Sequence, residues 1–198
     1  VWDDLCKFKL EKHIKNGKNK VGMIFNLDPH YKGGSHWIST FIDLKNKYIF
    51  FMDSTGDKIP KQVKALIDRT INEARTLDIP LTLHANKINH QKKDTECGVY
   101  SLFVLIELLY NRKTPEYFQN NRVPDIEMEK LRKKYFNTKV KIKCGPILTS
   151  IFLSIVSLRE IFGSAIHRDT NSSNHRSSKF KLYNLTNIDI KIIRNPYI

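Results

Sequence analysis

The run CGVYSLFVLIELLY, from Cys97 to Tyr110, holds a single charged residue, Glu107. A helix apolar on every side belongs inside a fold, with other elements packed around it. Any architecture for this chain must therefore be built about residues 97–110. The preceding segment, NHQKKDTE, is polar and reads as a loop. The cysteine sits at the seam between the two. A cysteine with a packing role is expected within the apolar run. At its mouth the side chain meets the positive end of the helix macrodipole and unpaired N–H groups. Both favour thiolate over thiol, and the thiolate is the nucleophile. Gly98 beside it allows a substrate backbone to approach closely. The competing reading is a structural cysteine, and position alone does not separate the two.

Elements that can surround the helix are legible on both sides. VGMIFNL (21–27) is an apolar run of strand length, and DPHYKGGS (28–35) is a loop by its proline and Gly-Gly signals. HWISTFIDL (36–44) and YIFFMD (48–53) flank the turn candidate KNK, as a β-hairpin would. Pro60 opens PKQVKALIDRTINEARTL, in which Val63, Leu66, Ile67, Ile71 and Ala74 follow helical spacing. IPLTLHANKI (79–88) reads as a further strand. RVPDIEMEKLRKKYF (122–136) reads as a helix capped by Asp125, and residues 1–20 are lysine-rich and weakly helical. The fold class expected is α+β.

A nucleophilic cysteine needs a base. The histidines are His13, His30, His36, His84, His90, His167 and His175. His36 is the best placed, because it begins a strand whose far end turns back. Antiparallel pairing about a turn near residue 45 sets position 36 opposite or diagonal to position 53. Diagonal neighbours lie about 7–8 Å apart, within reach of a side-chain hydrogen bond. Asp53 ends the apolar run YIFFM, where a bare carboxylate calls for a partner. An aspartate that orients a histidine beside a nucleophile is the logic of the catalytic triad. A surface hairpin with incidental polar ends is the alternative. Gln91, six residues before Cys97, can donate its amide to the oxyanion formed when a thiolate attacks a carbonyl. The Cys97 backbone N–H can supply a second donor. A solvated loop glutamine is the plainer alternative.

With these residues in hand the chain resembles a known group. GGSHW, FFMDSTG and HQKKDTECGVYSL are similar to segments of the ubiquitin-like-protein-specific cysteine proteases and the related adenovirus-type endopeptidases. The order His, Asp, Gln, Cys is that clan's, whereas papain-like enzymes place Gln and Cys before His. The short Gln-to-Cys interval, Trp37 after the histidine, the Asp-Ser pair and the helix behind Cys-Gly agree with it. The resemblance covers residues 21–137. NRVPDIEMEKLRKKYF is similar to the terminal helix of viral members, and NLDPHYKGGSHW is closer to the large-DNA-virus branch than to the cellular one. It implies a papain-like fold in circularly permuted order, with a small mixed sheet packed against a buried helix that starts at the nucleophile. It implies His36 as general base, Asp53 as its orienter, Gln91 as oxyanion donor and Cys97 as nucleophile. Trp37 borders the cleft in that family, and with Gly98 it is expected to bind the substrate. An aromatic wall at Trp37 narrows the passage, and only a chain without Cβ atoms threads it cheaply, which favours Gly-Gly before the cut. The implied substrate is a ubiquitin-like modifier such as SUMO, or a viral polyprotein, and the implied chemistry uses no metal or cofactor. Only about 20 residues precede Val21, fewer than family members carry, so a truncated copy is expected.

The remaining features bear on organisation and partners. Residues 1–137 form the expected catalytic domain. Residues 138–198 form a basic tail of uncertain fold, with the apolar patch ILTSIFLSIV and the linker-like DTNSSNHRSSK. The formal net charge is +14, which suits either a lysine-rich solvated surface or an acidic partner. Lys7, Lys9, Lys12, Lys15, Lys18 and Lys20 are dense enough to expect weak, sequence-independent nucleic-acid binding. A non-enzymatic basic module is accordingly the alternative function. Cys6, Cys97 and Cys144 are far apart and odd in number, which implies no disulfide framework and fits an intracellular, reducing compartment. That means cytoplasm or nucleus, or the virion or viral factory for a viral protein. A zinc site from His84, His90 and Cys97 fits no common ligand spacing. The longest uncharged run, CGPILTSIFLSIVSL, falls short of the ~20 apolar residues that span a bilayer, so the chain reads as soluble with no membrane partner. It starts at Val1 and reads as a fragment.

Overall fold

The computed structural model describes residues 6–29, 36–136 and 188–195. Five strands form one mixed sheet in the order β4-β3-β2-β1-β5. They are β1 (Lys20–Pro29), β2 (Trp37–Asp43), β3 (Tyr48–Met52), β4 (Thr82–Ala85) and β5 (Ile188–Asn195). The pairs β1–β2 and β2–β3 are antiparallel, whereas β3–β4 and β1–β5 are parallel. The helices are α1 (Leu10–Lys15), α2 (Lys61–Thr76), α3 (Cys97–Leu109), α4 (Pro115–Asn120) and α5 (Asp125–Phe136).

The sheet is covered on both faces, so β2 is buried at all seven positions. That is why its sequence runs nearly continuously apolar and does not alternate. On one face Ile24, Phe41, Phe50 and Met52 meet α3, with Phe118, Val123 and Met128 closing the layer. On the other, Val21, Met23, Phe25, Ile38, Ile42, Ile49 and Phe51 meet Val63, Leu66, Ile67 and Ala74 of α2, with Phe8 and Leu10 beside them. The helix expected at 97–110 is interior: Val99, Tyr100, Leu102, Phe103, Val104, Leu105 and Leu108 are all buried. Two small polar residues stitch it to the sheet. Ser101 Oγ donates to Trp37 O at 3.2 Å, and Ser39 Oγ donates to Ser101 O at 3.5 Å.

Several expectations need correction. The strand expected over 79–88 is only Thr82–Ala85, because Asn86 turns the chain. Its Nδ2 donates to Asp53 O at 2.6 Å and to Ile88 O at 2.9 Å, and Ile88 N donates back to its Oδ1. Helix α4 was not anticipated, although its start is marked by Thr114, which accepts from Tyr117 N, and by Pro115 in the first turn. Asp125 does not cap α5. It is the first helical residue, and its carboxylate accepts from Lys92 N of a distant loop at 3.0 Å. Lys20 cannot serve a phosphate, because it is buried at the other end of the molecule's central helix. Its Nζ donates to Leu109 O at 3.0 Å and Asn111 Oδ1 at 2.8 Å, and lies 3.4 Å from Asp43.

Of the segment expected as a tail, residues 188–195 form β5, which runs parallel to β1 at the edge of the sheet. Its patch ILTSIFLSIV and its linker, together with Cys144, His30, His167 and His175, lie outside the described residues. Among the described residues no helix is long and apolar enough to cross a membrane.

Candidate active site

The hairpin of β2 and β3 delivers the first two residues. Its register pairs Ser39 with Met52, so position 53 falls opposite position 38 and His36 lies diagonally across. The side chains close that gap: His36 Nε2 and Asp53 Oδ1 are 2.8 Å apart. Asp53 is 1% exposed. Burial alone would raise its pKa. The hydrogen bonds from His36 and from Thr55 Oγ1 and N outweigh this and hold the carboxyl below its ordinary value. The converse holds for His36. Burial disfavours its charged form, but the hydrogen bonds to Asp53 and Cys97 and the charges behind them prevail, raising its pKa to about 10.

Cys97 comes to the same histidine from α3. It is the first residue of that helix, and it lies near enough to His36 to help raise that ring's pKa. Asp53 occupies Nε2, which leaves Nδ1 as the ring nitrogen free to exchange a proton with the sulfur. A protonated imidazole beside the sulfur is the setting in which cysteine reacts as thiolate. Of the two cysteines among the described residues, Cys6 is exposed and Cys97 buried.

Gln91 joins the group through the turn Asp53-Ser54-Thr55-Gly56. Gln91 N donates to Ser54 O at 2.9 Å, and Ser54 Oγ donates to Gln91 Oε1 at 2.8 Å. With its oxygen fixed, the amide nitrogen has a defined orientation. One of its two hydrogens goes to Lys93 O, and the other remains for a ligand. Gly56 makes this approach possible. Its φ is +81°, and a Cβ there would lie 2.8 Å from Lys87 O. Gly98 is buried in the first turn of α3. Trp37 is 6% exposed and packs in the same core cluster as Cys97.

The structure thus brings His36, Asp53, Gln91 and Cys97 together, with Trp37 and Gly98 adjoining. Reading the sequence missed the residues that hold them. Ser54, Thr55 and Asn86 were not assigned roles, and His90 was weighed only as a metal ligand. His90 is fully buried, and both its nitrogens are engaged by the protein. Nδ1 accepts from Val123 N at 3.0 Å, so Nε2 carries the hydrogen and donates to Phe118 O at 3.0 Å. Burial lowers its pKa, in keeping with a neutral ring. That removes it from the zinc set of His84, His90 and Cys97, whose Cys97 is turned to His36 and whose His84 pairs with Glu116 at 3.6 Å. The signal for this role is the spacing of Asn86 and His90 in one loop, which only the fold makes meaningful.

Residues 16–144 match the family model described as the Ulp1 protease family, C-terminal catalytic domain. A protein of Acanthamoeba polyphaga mimivirus named as a thiol protease is 30% identical over 139 residues, 68% of this chain and 45% of its own length. The SUMO-1 cysteine protease S273R of African swine fever virus is 31% identical over 128 residues, 63% of this chain and 46% of its own. The crystal structure of the ASFV pS273R protease matches with a TM-score of 0.53 at 31% identity, over 58% of this chain and 43% of that one. The chain therefore spans about half the length of the curated relatives it matches.

Proposed function

The chain belongs to the Ulp1 protease family, and on that footing we propose that it is a cysteine peptidase that cuts a protein chain after Gly-Gly. The observation that carries this reading is the Asp53–His36 hydrogen bond with Cys97 beside the ring, and Gln91 oriented by Ser54 on the same turn. The Cys97 thiolate attacks the carbonyl carbon of the second glycine. The oxyanion that forms accepts from the remaining Gln91 Nε2–H and from Cys97 N–H. His36, protonated at Nδ1, gives that proton to the leaving amine as the C–N bond breaks. A water then loses a proton to Nδ1 and attacks the thioester. The acid is released, and the thiolate and imidazolium are restored. Asp53, on Nε2–H, fixes the ring and favours its charged form.

The substrate class in this reading is a ubiquitin-like modifier with a Gly-Gly junction, or a viral polyprotein with the same motif. A relative of matching sequence carries the name SUMO-1 cysteine protease, which supports the first of these. Trp37, in the same core cluster as Cys97, supports a narrow slot. The test compares amide substrates ending Gly-Gly-X and Ala-Ala-X, for wild type and Trp37→Ala. Strong preference for Gly-Gly is expected, relaxed or lost with activity in the variant. Equal cleavage of both by the wild type would remove the slot, and cleavage of neither would remove the reaction.

The raised pKa of His36 predicts a pH profile. The proton given to the leaving group is present below the folded-state value and is lost as pH rises through it. The alkaline limb of kcat/KM should therefore lie near 10, well above an ordinary histidine. Asp53→Asn removes the charge that raises it, so that limb should move to lower pH as the rate falls. An alkaline limb near pH 6.5 in the wild type would show that His36 is not the acid.

Weak, salt-sensitive nucleic-acid binding belongs to the proposal with Lys20 removed from its surface, and so does action inside the cell. Loss of affinity between low and moderate salt is the signature expected.

A further inference from the structure

One stripe of α5 holds the loop between Gln91 and Cys97 at three places. Asp125, Glu129 and Arg132 are spaced i, i+4, i+7, which aligns them on one helix face. The Asp125 carboxylate accepts from Lys92 N at 3.0 and 3.2 Å. Glu129 Oε1 accepts from Lys93 Nζ at 2.6 Å. Arg132 Nε donates to Glu96 Oε2 at 2.9 Å and Oε1 at 3.1 Å, and its Nη2 donates to Thr95 O. The neighbouring stripe of the same helix, Met128, Leu131 and Tyr135, packs on the α3 side of the core, so α5 is a fixed support.

We propose that this stripe is a strap that sets the distance between the two oxyanion donors, the Gln91 amide and Cys97 N–H, and that Arg132 is its principal positioning residue. The inference rests on the peptidase reading above. Arg132 has the strongest hold because it bonds both the backbone carbonyl before Glu96 and the Glu96 carboxylate. Thr95 O lies before the Glu96 backbone and the Glu96 carboxylate beyond it. The Glu96 carbonyl, in turn, accepts from Tyr100 N at 2.9 Å to open α3. That bond holds the Glu96–Cys97 peptide at its carbonyl, while Arg132 holds the preceding carbonyl and the Glu96 side chain, so the residue from which Cys97 N–H projects is fixed on both sides. Glu96 is 3% exposed, so its carboxylate depends on this partner. The three residues bond to Lys92, Lys93, Thr95 and Glu96 and not to His36, so their effect should fall chiefly on the oxyanion donors.

Arg132→Gln and Arg132→Lys, made in the full chain, test this with three readouts. The first is kcat and KM on a Gly-Gly amide. The second is the rate of Cys97 alkylation by iodoacetamide, which attacks a saturated carbon and forms no oxyanion. The third is hydrogen exchange of the amides of residues 92–97. Arg132→Gln should lose about 10- to 100-fold in kcat, part of what a whole oxyanion donor supplies. KM and the alkylation rate should be unchanged, and exchange across the loop should be faster. Arg132→Lys, which keeps the charge but not the fork, should fall between the two. Wild-type kcat in Arg132→Gln overturns the strap. So does a parallel fall of kcat and alkylation, which marks a general loss of structure. A wild type that is alkylated at Cys97 but hydrolyses no amide defeats the peptidase reading instead, and unchanged loop exchange in Arg132→Gln then overturns the strap by itself.

Discussion

Cys97→Ser is expected to lower amide turnover by about 10⁴-fold or more, the scale seen when a nucleophile is removed from a catalytic group that acts as a unit. The substitution exchanges one atom at a buried position, so the fold should persist. What changes is the acidity of the attacking group. A serine hydroxyl is a far weaker acid than a thiol, so at neutral pH it supplies far less of the ionised nucleophile. Turnover of a Gly-Gly amide measures the effect. A vinyl-sulfone probe reports the site directly, since it should mark Cys97 while the exposed Cys6 serves as an internal control. Wild-type turnover by Cys97→Ser would place the chemistry elsewhere.

Gly56→Ala should be nearly as damaging, although the residue carries no side chain and takes no part in the reaction. At φ +81° any L-residue is strained, by about 1–2 kcal/mol. Its Cβ would also meet Lys87 O at 2.8 Å, Ile88 C at 3.0 Å and Asn89 N at 3.1 Å. These are backbone atoms, so relief requires the two segments to part, at an overpacking cost of about 1–3 kcal/mol. The segment that must move leads into His90 and Gln91, and the turn that must move carries Asp53 and Ser54. We expect a loss of about 2–5 kcal/mol in urea denaturation. We also expect kcat to fall further than the unfolded fraction explains, because Gln91 loses its register against Ser54. A variant with wild-type midpoint and wild-type kcat would show that the close approach is dispensable.

The parts of the site that were legible in sequence are those set by local geometry. A hairpin with a short turn puts residues 36 and 53 across from each other whatever packs around it, and the change from polar loop to apolar run marks the start of α3. The α2 spacing was equally local. The supports were not legible because each depends on a partner far along the chain. Asp125 is paired with Lys92, Arg132 with Glu96, His90 with Val123 and Phe118. Asp125 and His90 each carried a plausible local assignment, as helix cap and as metal ligand, that tertiary contacts displaced. Lys20 looked like one more surface lysine in a dense row until its acceptors at the end of α3 were in view. β5 returns from more than fifty residues beyond α5 to lie on β1, and no local pattern announces such a pairing.

That lysine has a mechanical consequence. Its ammonium group is bonded to the carbonyls of Leu108 and Leu109 and to the Asn111 side chain, where α3 ends. The helix between those carbonyls and Cys97 is thirteen residues long, about 20 Å of stiff rod. It is moored at one end to the first residue of β1 and presents the sulfur at the other. A rod held in this way cannot slide along its axis without tearing those bonds. The depth at which Cys97 meets His36 is therefore fixed from the opposite pole of the molecule. Damage there would register as a fault in the cleft while leaving every residue of the cleft intact.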